Sequence, residues 1–243
     1  MDNEIMDRYS VIDEKNKREI ILLRGSGCLW RRCRFCDYHL DSSKKQSDND
    51  QLNRLELNKV TGIYQKLEVI NSGSFVDLSP VTMKWIKEVC LDKNIKEVHF
   101  ECHWLHRDKV ASLKEEFKKI GIIVKVKIGV ETFDALFREC YLDKGITTEN
   151  PIEIASYFDE CCLLQGIPGQ NYDSMIQDIE IGLKYFERIC INIMQENGKA
   201  IKPDPKVIEI FATKIYPQYI ENQRVDILME NTAFGVGGVT TNA

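Results

Sequence analysis

The sequence predicts a single-domain α/β fold, a partial barrel of parallel strands with helices outside. Six short apolar runs alternate with amphipathic segments of helical period, and no internal repeat or low-complexity linker interrupts them. Such alternation predicts a parallel sheet with right-handed crossovers. The chain has 243 residues, 43% of them hydrophobic, which is enough to bury one sizeable core.

The six predicted strands are apolar or alternating runs bounded by glycine or polar residues. They are residues 18–25, 66–75, 95–104, 121–131, 157–169 and 187–195. The predicted helices are residues 54–67, 80–92, 109–120, 133–143, 172–186 and 204–216. In the last of these we expect Asp204 as the N-cap and Pro205 as the first helical residue.

The remaining segments predict how the chain is divided. Residues 1–19 are expected to form an N-terminal extension, residues 20–216 the barrel, and residues 217–243 a C-terminal segment. The end of that segment is rich in Gly and Thr, so it is either disordered or lies over the mouth of the site. Residues 41–53 are polar throughout and predict a long loop.

Charge and composition describe an ordinary soluble protein. The charged fraction is 29% and the formal net charge is −5, which argues against tRNA as a partner because phosphate binding depends on clustered Lys and Arg. We interpret the basic runs at 14–18 and 31–34 as solvated surface. No apolar stretch approaches the ~18–20 residues of a transmembrane helix, and the acidic N-terminus does not resemble a signal peptide. A cytoplasmic protein with reduced cysteines is expected, since nine cysteines fit no disulfide framework.

Sulfur-bearing and polar side chains collect where the predicted strands end. In parallel α/β folds, the carboxyl ends of the strands carry the chemistry. The residues there are Cys28, Cys33 and Cys36 after the first strand, 71–74 after the second, Glu101 and His103 after the third, Glu131 after the fourth, and 166–169 after the fifth. One face of the barrel therefore holds the predicted site.

The three cysteines of this site lie within nine residues and allow three interpretations. A structural zinc site needs a fourth ligand, for which His39 is available. A plant-type ferredoxin cluster has the same C-x4-C-x2-C run but needs a distant fourth cysteine. The third interpretation is a 4Fe–4S cluster whose fourth iron has no protein ligand, so that a substrate binds it directly. The other six cysteines (Cys90, Cys102, Cys140, Cys161, Cys162 and Cys190) are expected to be small buried hydrophobes.

Three thiolates in a loop after the first strand of a barrel resemble the radical S-adenosylmethionine (SAM) enzymes, and this resemblance favours the third interpretation. Phe35 stands between the second and third cysteines, where the family's C-x3-C-x-aromatic-C pattern has its aromatic residue. The first gap departs from that pattern, because four residues (29–32) fill it. The segments NSGSF, VHFE, KIGVET with YLDKG, and LLQGIPGQ resemble the family's motifs after strands two to five. The similarity covers residues 20–195, the whole barrel.

This resemblance implies a (β/α)6 partial TIM barrel, the radical SAM core, with a 4Fe–4S cluster on Cys28, Cys33 and Cys36. The implied SAM contacts are Phe35 near the adenine, Gly73 and Ser74 at the methionyl ammonium, Glu101 near that ammonium, Glu131 at the ribose, Lys144 at the carboxylate, and the backbone of Ile167 at the adenine edge. One electron cleaves the sulfonium and yields a 5′-deoxyadenosyl radical. In this family the cofactors supply the radical reaction, while the protein orients them and excludes water.

Within this superfamily the compact chain is most similar to bacterial queuine lyases of queuosine salvage. That resemblance implies a small-molecule substrate, free queuine, whose carbon–nitrogen bond breaks after the radical takes hydrogen from the cyclopentenediol. The 7-deazaguanine base preQ1 is then released. A reducing partner such as flavodoxin or ferredoxin is also implied.

Few residues in the sequence indicate how the substrate is recognised. Strand alternation places His103 on the same face as Glu101, at the mouth. Asn192 and Gln195 end the sixth strand, and with Glu160 or Asp159 they have the donors and acceptors to recognise a purine-like heterocycle. The alternatives are a radical SAM enzyme that modifies tRNA or a peptide, and a structural zinc or electron-transfer module without radical chemistry.

Overall fold

The structure is a computed structural model that describes residues 7–229. Its strands are β1 Tyr9–Ile12, β2 Arg18–Leu23, β3 Lys66–Asn71, β4 Glu97–Glu101, β5 Ile123–Glu131, β6 Glu160–Gln165, β7 Arg188–Ile193 and β8 Val225–Leu228. They form one sheet in chain order, in which β1 is antiparallel to β2 and every later pair is parallel. The predicted α/β partial barrel is confirmed.

Two strands lie beyond the six that the sequence predicts. β1 falls in the predicted N-terminal extension and β8 in the predicted C-terminal segment. Each has four residues, which is too short for alternation of apolar and polar side chains to stand out. Ion pairs between residues distant in sequence hold β8 in the sheet. Asp226 of β8 pairs with Arg188 at an N···O distance of 2.6 Å and with Arg18 at 3.2 Å. The prediction that the tail lies over the mouth concerns residues 230–243, which are outside the described residues.

The helices pack on the outer face of the sheet. They are α1 Gln46–Leu57, α2 Pro80–Asp92, α3 Val110–Lys118, α4 Pro151–Ala155, α5 Tyr172–Tyr185, α6 Pro205–Ile210 and α7 Tyr216–Tyr219. α2 has the predicted bounds, and the predicted cap of α6 is confirmed because Asp204 accepts a hydrogen bond from the backbone N–H of Lys206. No helix within residues 7–229 is long and apolar enough to span a membrane.

The predicted polar loop at 41–53 is wrong, since most of it forms helix α1. Most of its buried face is polar: Asn49 and Asn53, one helical turn apart, are buried with Glu56, and Leu57 is the one apolar residue among its buried positions. The Asn53 side chain accepts from the backbone N–H of Arg24 at 2.7 Å and donates to the Arg24 carbonyl at 2.9 Å. A polar face of helical period gives no hydrophobic signal, so the sequence concealed the helix.

The predicted helix at 133–143 is only partly formed, because residues 135–141 alone are helical and the last five of them, Phe137–Tyr141, form a π-helical turn. Arg138 is 1% exposed and donates to the carbonyls of Thr132 and Thr148. Glu139 accepts from the backbone N–H groups of Gly145 and Ile146. The two charged side chains bind loop backbone, and the chain therefore turns back toward the barrel mouth.

Inside the barrel, a small apolar layer lies above a buried layer of charged side chains. The apolar layer is Ile20, Leu22, Ile70, Cys162, Cys190 and Leu228. Two residues earlier on the same strands are the charged residues Arg18, Glu68, Glu160, Arg188 and Asp226, all buried. The larger core lies between the sheet and the helices. The barrel is thus closed below, and its open space lies at the carboxyl ends of the strands.

Candidate active site

A pocket of about 510 Å³ opens at the carboxyl ends of the strands. This volume falls within the range of small-molecule sites, about 300–1,000 Å³. Most of the sequence-predicted site residues line it: Cys28, Cys33, Cys36, Phe35, Gly73, Glu101, His103, Glu131, Lys144 and Asn192. The carboxyl ends of β2, β3, β4, β5 and β7 therefore meet at one site, whereas the predicted turn 166–169 after β6 does not line it.

The cysteine loop between β2 and α1 accommodates its additional residue through Arg31. This residue has φ +52°, a left-handed conformation that is uncommon outside glycine. Its guanidinium donates to the carbonyl of Cys28 at 2.7 Å and to that of Ser26 at 3.1 Å. The four-residue gap before Cys33 is thus a tight turn held by its own side chain.

Both ends of the loop are hydrogen-bonded to segments that follow neighbouring strands. The backbone N–H of Cys28 donates to the carbonyl of Ser72 after β3, and that of Arg34 donates to the carbonyl of Leu142, each at 3.0 Å. The Asn197 amide, after β7, donates to the carbonyl of Phe35 at 2.7 Å. These contacts fix where the three thiols point.

The cysteine thiols are partly or fully buried beside a cation. Burial raises the pKa of Cys33 to about 11 and that of Cys36 to about 12, and the charge of Lys144 partly offsets both shifts. Within the described chain, no three His, Cys, Asp or Glu side chains converge as one metal ion requires. Each cysteine of an iron–sulfur cluster binds a different iron, so its sulfurs need not converge on one point. His39, the fourth ligand of the zinc alternative, also lines the pocket.

Gly73 makes room for the cysteine loop. A Cβ at this position would collide with the Asp77 carboxylate and would lie 3.0 Å from both N and Cα of Cys28. Asp77 in turn accepts from the backbone N–H of Ser74 at 2.7 Å, which closes the turn after β3. Any side chain at Gly73 would therefore push the first cysteine ligand out of place.

Glu131 and Lys144 form a buried ion pair at the pocket wall, with an N···O distance of 2.6 Å. A bulge in β5 between Gly129 and Glu131, with φ +69° at Glu131, turns this carboxylate toward the pocket. Burial would lower the pKa of Lys144, but the charge of Glu131 raises it above its usual range. The ammonium also lies 5.6 Å from the centre of the Phe35 ring. A permanent cation thus stands beside the cysteines.

Glu101 and Lys127 occupy the floor of the pocket. Lys127 lies 3.3 Å from a Glu101 oxygen and also pairs with Glu68 in the charged layer below. Burial raises the pKa of Glu101, and the charge of Lys127 opposes the shift. The carboxylate is therefore held in place and remains available to a cationic ligand group.

Two amide oxygens in the pocket lining are buried without a hydrogen-bond partner. They are Oδ1 of Asn71, at the end of β3, and Oδ1 of Asn192, in β7. Leaving such an acceptor unpaired costs about 1–3 kcal/mol, so a ligand that donates to it gains that amount. Asn192 was a predicted substrate contact, whereas Asn71 belongs to the predicted strand-end segment 71–74 and is a further candidate contact.

Three predicted ligand contacts have other partners in this structure. The backbone N–H of Ile167 donates to the Gln170 side chain at 2.9 Å, and Ile167 is buried in an apolar cluster behind the pocket. The Ser74 hydroxyl accepts from the backbone N–H of His103. His103 lines the pocket, but its Nε2 donates to the carbonyl of Lys144 at 2.9 Å and its Nδ1 accepts from the N–H of Leu105. Burial and the Lys144 charge lower its pKa to about 4, so the ring is neutral.

Other polar residues proposed for heterocycle recognition do not reach the pocket. Glu160 lies in the charged layer, where it binds Arg188 at 2.7 Å, and Asp159 accepts from the backbone N–H of Val126. Gln195, by contrast, lines the pocket mouth.

Cys140 was predicted to be buried, but it is exposed, because Arg138 occupies the inward side of the π-helical turn.

Trp30 and Lys127 are site residues that sequence reasoning missed. The Trp30 indole donates to the carbonyl of Asp143 at 2.7 Å and stacks on His103, with ring centroids 5.8 Å apart. Gly145 makes space for that ring. Lys127 had a visible signal, because alternation places it with Lys125 and Glu131 on one side of β5, opposite an apolar side. Trp30 had none, because its partners are distant in sequence.

Comparisons with known proteins agree with this site. Protein-family models give no match. An uncharacterized protein of Methanocaldococcus jannaschii is 26% identical over 180 residues, which cover 65% of this chain and 47% of that protein, so the chain spans about half the length of this curated relative. The solved structure of the queuine lyase from Clostridium spiroforme, bound to SAM and queuine, is 42% identical with a TM-score of 0.90, and the match covers 96% of this chain and 99% of that one. At this identity and coverage, the chain belongs to the queuine lyase family.

Proposed function

We propose that this protein is a radical SAM lyase that cleaves the carbon–nitrogen bond of free queuine and releases preQ1 for queuosine salvage. The observation that carries the proposal is a single pocket that gathers three cysteines, the Glu131–Lys144 pair and two unpartnered amide oxygens. The similarity to a queuine lyase whose structure holds SAM and queuine supports it. We place the enzyme in the cytoplasm, with residues 20–216 as its barrel.

The residues fit the two cofactors. Cys28, Cys33 and Cys36 offer the thiolates that suit a 4Fe–4S cluster. Lys144 offers a cation to the SAM carboxylate, and Glu131 has a second oxygen for the ribose hydroxyls. When bound, the cofactors would supply the radical chemistry that removes hydrogen from the cyclopentenediol of queuine and allows its carbon–nitrogen bond to break.

The residues of this chain position and recognise the ligands. Asn71 Oδ1 and the Glu101 carboxylate are acceptors for the SAM ammonium, in the region where Gly73 and Ser74 form the turn. Asn192 Oδ1 is an acceptor for a ring N–H or amino group of the deazaguanine. His103 fixes the wall through its two backbone hydrogen bonds and through Trp30. A small heterocycle with several donors satisfies this lining better than an apolar substrate does.

An anaerobic turnover experiment tests the proposal. The protein with a reconstituted cluster is incubated with SAM, reductant and queuine, and in parallel with queuosine-containing tRNA in place of the free base. Mass spectrometry is expected to detect preQ1 only with free queuine. Modification of the tRNA without conversion of the free base would favour the RNA-modifying alternative. A full cluster that never supports SAM cleavage would favour the electron-transfer module.

A further inference from the structure

Two thiols lie at the bottom of the pocket, among aliphatic side chains of the apolar layer. Four residues of that layer line the pocket: Leu22, Ile70, Cys162 and Cys190. Both cysteines are free thiols, and we define them as the floor thiols. The chemistry described so far gives them no role. An S–H bond is nevertheless weaker than a C–H bond, so a thiol readily gives a hydrogen atom to a carbon radical.

The floor thiols are neighbours on two adjacent parallel strands. Cys162 of β6 is the register partner of Cys190 of β7. Their backbones are therefore about 4.8 Å apart, and both side chains point to the same side of the sheet. A hydrogen bond to Cys190, together with burial, raises the pKa of Cys162 well above its usual range. Cys162 thus keeps its proton and directs it at the Cys190 sulfur, which leaves the Cys190 hydrogen free to point into the pocket.

Cys190 lies directly below the proposed contact to the heterocycle. Asn192 is two residues further along β7 on the same side of the strand, about 6–7 Å nearer the pocket mouth. Its unpartnered Oδ1 is the proposed acceptor for the deazaguanine. A short aminomethyl arm joins that heterocycle to the cyclopentenediol. A heterocycle held at Asn192 therefore places the cyclopentenediol in the same pocket space that the floor thiols face.

The proposed reaction leaves a radical that lacks one hydrogen atom. A hydrogen atom is lost from the carbinol carbon next to the carbon–nitrogen bond. That bond then breaks with its electron pair on the amine, which takes the hydroxyl proton and leaves as preQ1. An unpaired electron remains on the ring ketone, at the carbon that held the nitrogen. Because the hydrogen atom first removed stays in 5′-deoxyadenosine, another donor has to complete the ring product.

We propose that Cys190 is a catalytic residue that gives its thiol hydrogen atom to this ring radical, and that Cys162 is the positioning residue that orients it. The inference rests on the proposed function, because the ring radical forms only in that reaction. The S–H bond breaks homolytically, a C–H bond forms on the ring, and a sulfur radical remains on Cys190. One electron from the reductant that turnover already requires converts this radical to a thiolate, and a solvent proton restores the thiol.

Lys127 assists that last step. Burial would lower the pKa of its ammonium, but the charges of Glu68 and then Cys162 raise it well above its usual range, and Cys190 acts in the same direction. A permanent cation therefore lies close to the floor thiols and stabilises the Cys190 thiolate until it is protonated. The adjoining aliphatic side chains have only strong C–H bonds, so they cannot replace the thiol as a hydrogen donor.

The test removes one sulfur at a time. Cys190→Ala and Cys162→Ala are compared with Cys161→Ala, a matched control on β6 whose side chain lies in the core between the sheet and the helices. Reconstituted proteins of equal iron content receive SAM, reductant and queuine, and preQ1 is counted in the first and in later turnovers. Samples frozen during the first turnover are examined by electron paramagnetic resonance. Calorimetric titration with queuine in the presence of SAM, without reductant, measures binding separately.

We expect Cys190→Ala to release its first preQ1 at nearly the wild-type rate, because the carbon–nitrogen bond breaks before the thiol acts. Later turnovers should slow at least about tenfold. A carbon-centred radical should accumulate, while queuine affinity equals that of wild type. Cys162→Ala should fall between Cys190→Ala and wild type, and Cys161→Ala should match wild type. Cys190→Ser, which nearly preserves the volume, should reproduce the defect because its O–H bond is too strong to donate a hydrogen atom.

Undiminished later turnovers without an accumulated radical in Cys190→Ala, or full recovery of later turnovers in Cys190→Ser, would overturn the inference. Equal losses in first and later turnovers together with weaker queuine binding would also overturn it, since Cys190 would then only shape the pocket floor. A wild-type protein that cleaves SAM but never forms preQ1 would instead overturn the proposed function.

Discussion

Lys144 and Glu131 form an ion pair for which we propose a role in binding as well as in stability. Both side chains are about one-tenth exposed and 2.6 Å apart. Removing one partner of a buried ion pair leaves an uncompensated charge, which costs about 3–5 kcal/mol, whereas removing both costs far less. Stability and cofactor binding can therefore be separated experimentally.

For Lys144→Met, we predict that the free energy of unfolding falls by about 3–5 kcal/mol, because Glu131 stays buried without its cation. The double variant Glu131→Gln with Lys144→Met should recover most of that stability but should still bind SAM at least about tenfold more weakly, as loss of a charged contact implies. Urea denaturation and equilibrium dialysis with labelled SAM measure the two quantities. Restored SAM affinity in the double variant would show that Lys144 does not contact the cofactor.

Gly73 is a second residue whose identity the packing dictates. We predict that Gly73→Ala destabilises the protein by about 1–3 kcal/mol, because the added methyl group forces Asp77 and Cys28 apart. Iron content after reconstitution should fall well below that of wild type. Gly198→Ala is the control, since its Cβ would have no neighbour within 4 Å. Equal iron content in both variants would mean that the turn after β3 does not position the first cysteine.

At the scale of elements, helix α1 is held by amide hydrogen bonds at its centre as well as by the buried Leu57 at its end. The Asn53 side chain binds both backbone groups of Arg24 and the Thr82 hydroxyl. This ladder ties α1 to the end of β2, directly before the cysteine loop, and thereby fixes where that loop begins.

We predict that Asn53→Leu lowers the free energy of unfolding by about 2–4 kcal/mol, because it leaves two buried backbone groups of Arg24 unpaired. The matched control is Leu55→Asn on the exposed side of the same helix, where Leu55 is 59% exposed. That change should stay within about 0.5 kcal/mol. If chemical denaturation gives the two variants equal stability, the amide ladder does not hold α1.

The elements differ in how far the sequence predicts them. The six central strands have apolar runs that alternation reveals, and α2 has both a periodic face and a Ser79–Pro80 start, so these were predicted well. The helix after β2 was predicted at 54–67 rather than at Gln46–Leu57, because most of the buried face of α1 is polar and gives no hydrophobic signal. The segment 133–143 was predicted as one helix, but only residues 135–141 are helical, because buried Arg138 and half-buried Glu139 bind loop backbone and sequence periodicity does not register such contacts.

At the scale of the whole molecule, a charged layer closes the lower end of the barrel. His99 on β4 lies between Glu160, at 3.1 Å, and Glu97, at 2.9 Å. Burial alone would lower its pKa, but hydrogen bonds to these two carboxylates outweigh burial and raise the pKa above 6.5. The protonated imidazole therefore stabilises the fold.

A group with a raised folded pKa contributes stability that is complete below its unfolded pKa, about 6.5 for His, and is lost as the pH rises through the folded value. We predict that wild type loses stability as the pH rises above about 6.5, at about 1.4 kcal/mol per unit of pKa shift. The variant His99→Gln should lack this component and show a flatter profile. Urea denaturation across this range measures it, and parallel profiles would show that His99 does not titrate above its unfolded value.

The site as a whole was predicted from sequence to the extent that strand ends converge. Cys28, Cys33, Cys36, Glu131 and Lys144 share one pocket because parallel strands end at one edge. Side-chain partners were not predictable: Ile167 and His103 have backbone partners, and Trp30 seals the wall through contacts distant in sequence. Order along the chain determines which residues meet, but not which of their atoms remain free for a ligand.

The most direct test of this account is the ratio of 5′-deoxyadenosine to preQ1 formed in a single anaerobic turnover by the reconstituted protein with SAM, reductant and queuine. A coupled radical cleavage predicts equal amounts of the two products, and neither product in a Cys33→Ala variant. Formation of preQ1 without 5′-deoxyadenosine, or its persistence in the Cys33→Ala variant, would contradict the radical mechanism. Formation of 5′-deoxyadenosine without preQ1 would contradict the assignment of queuine as the substrate.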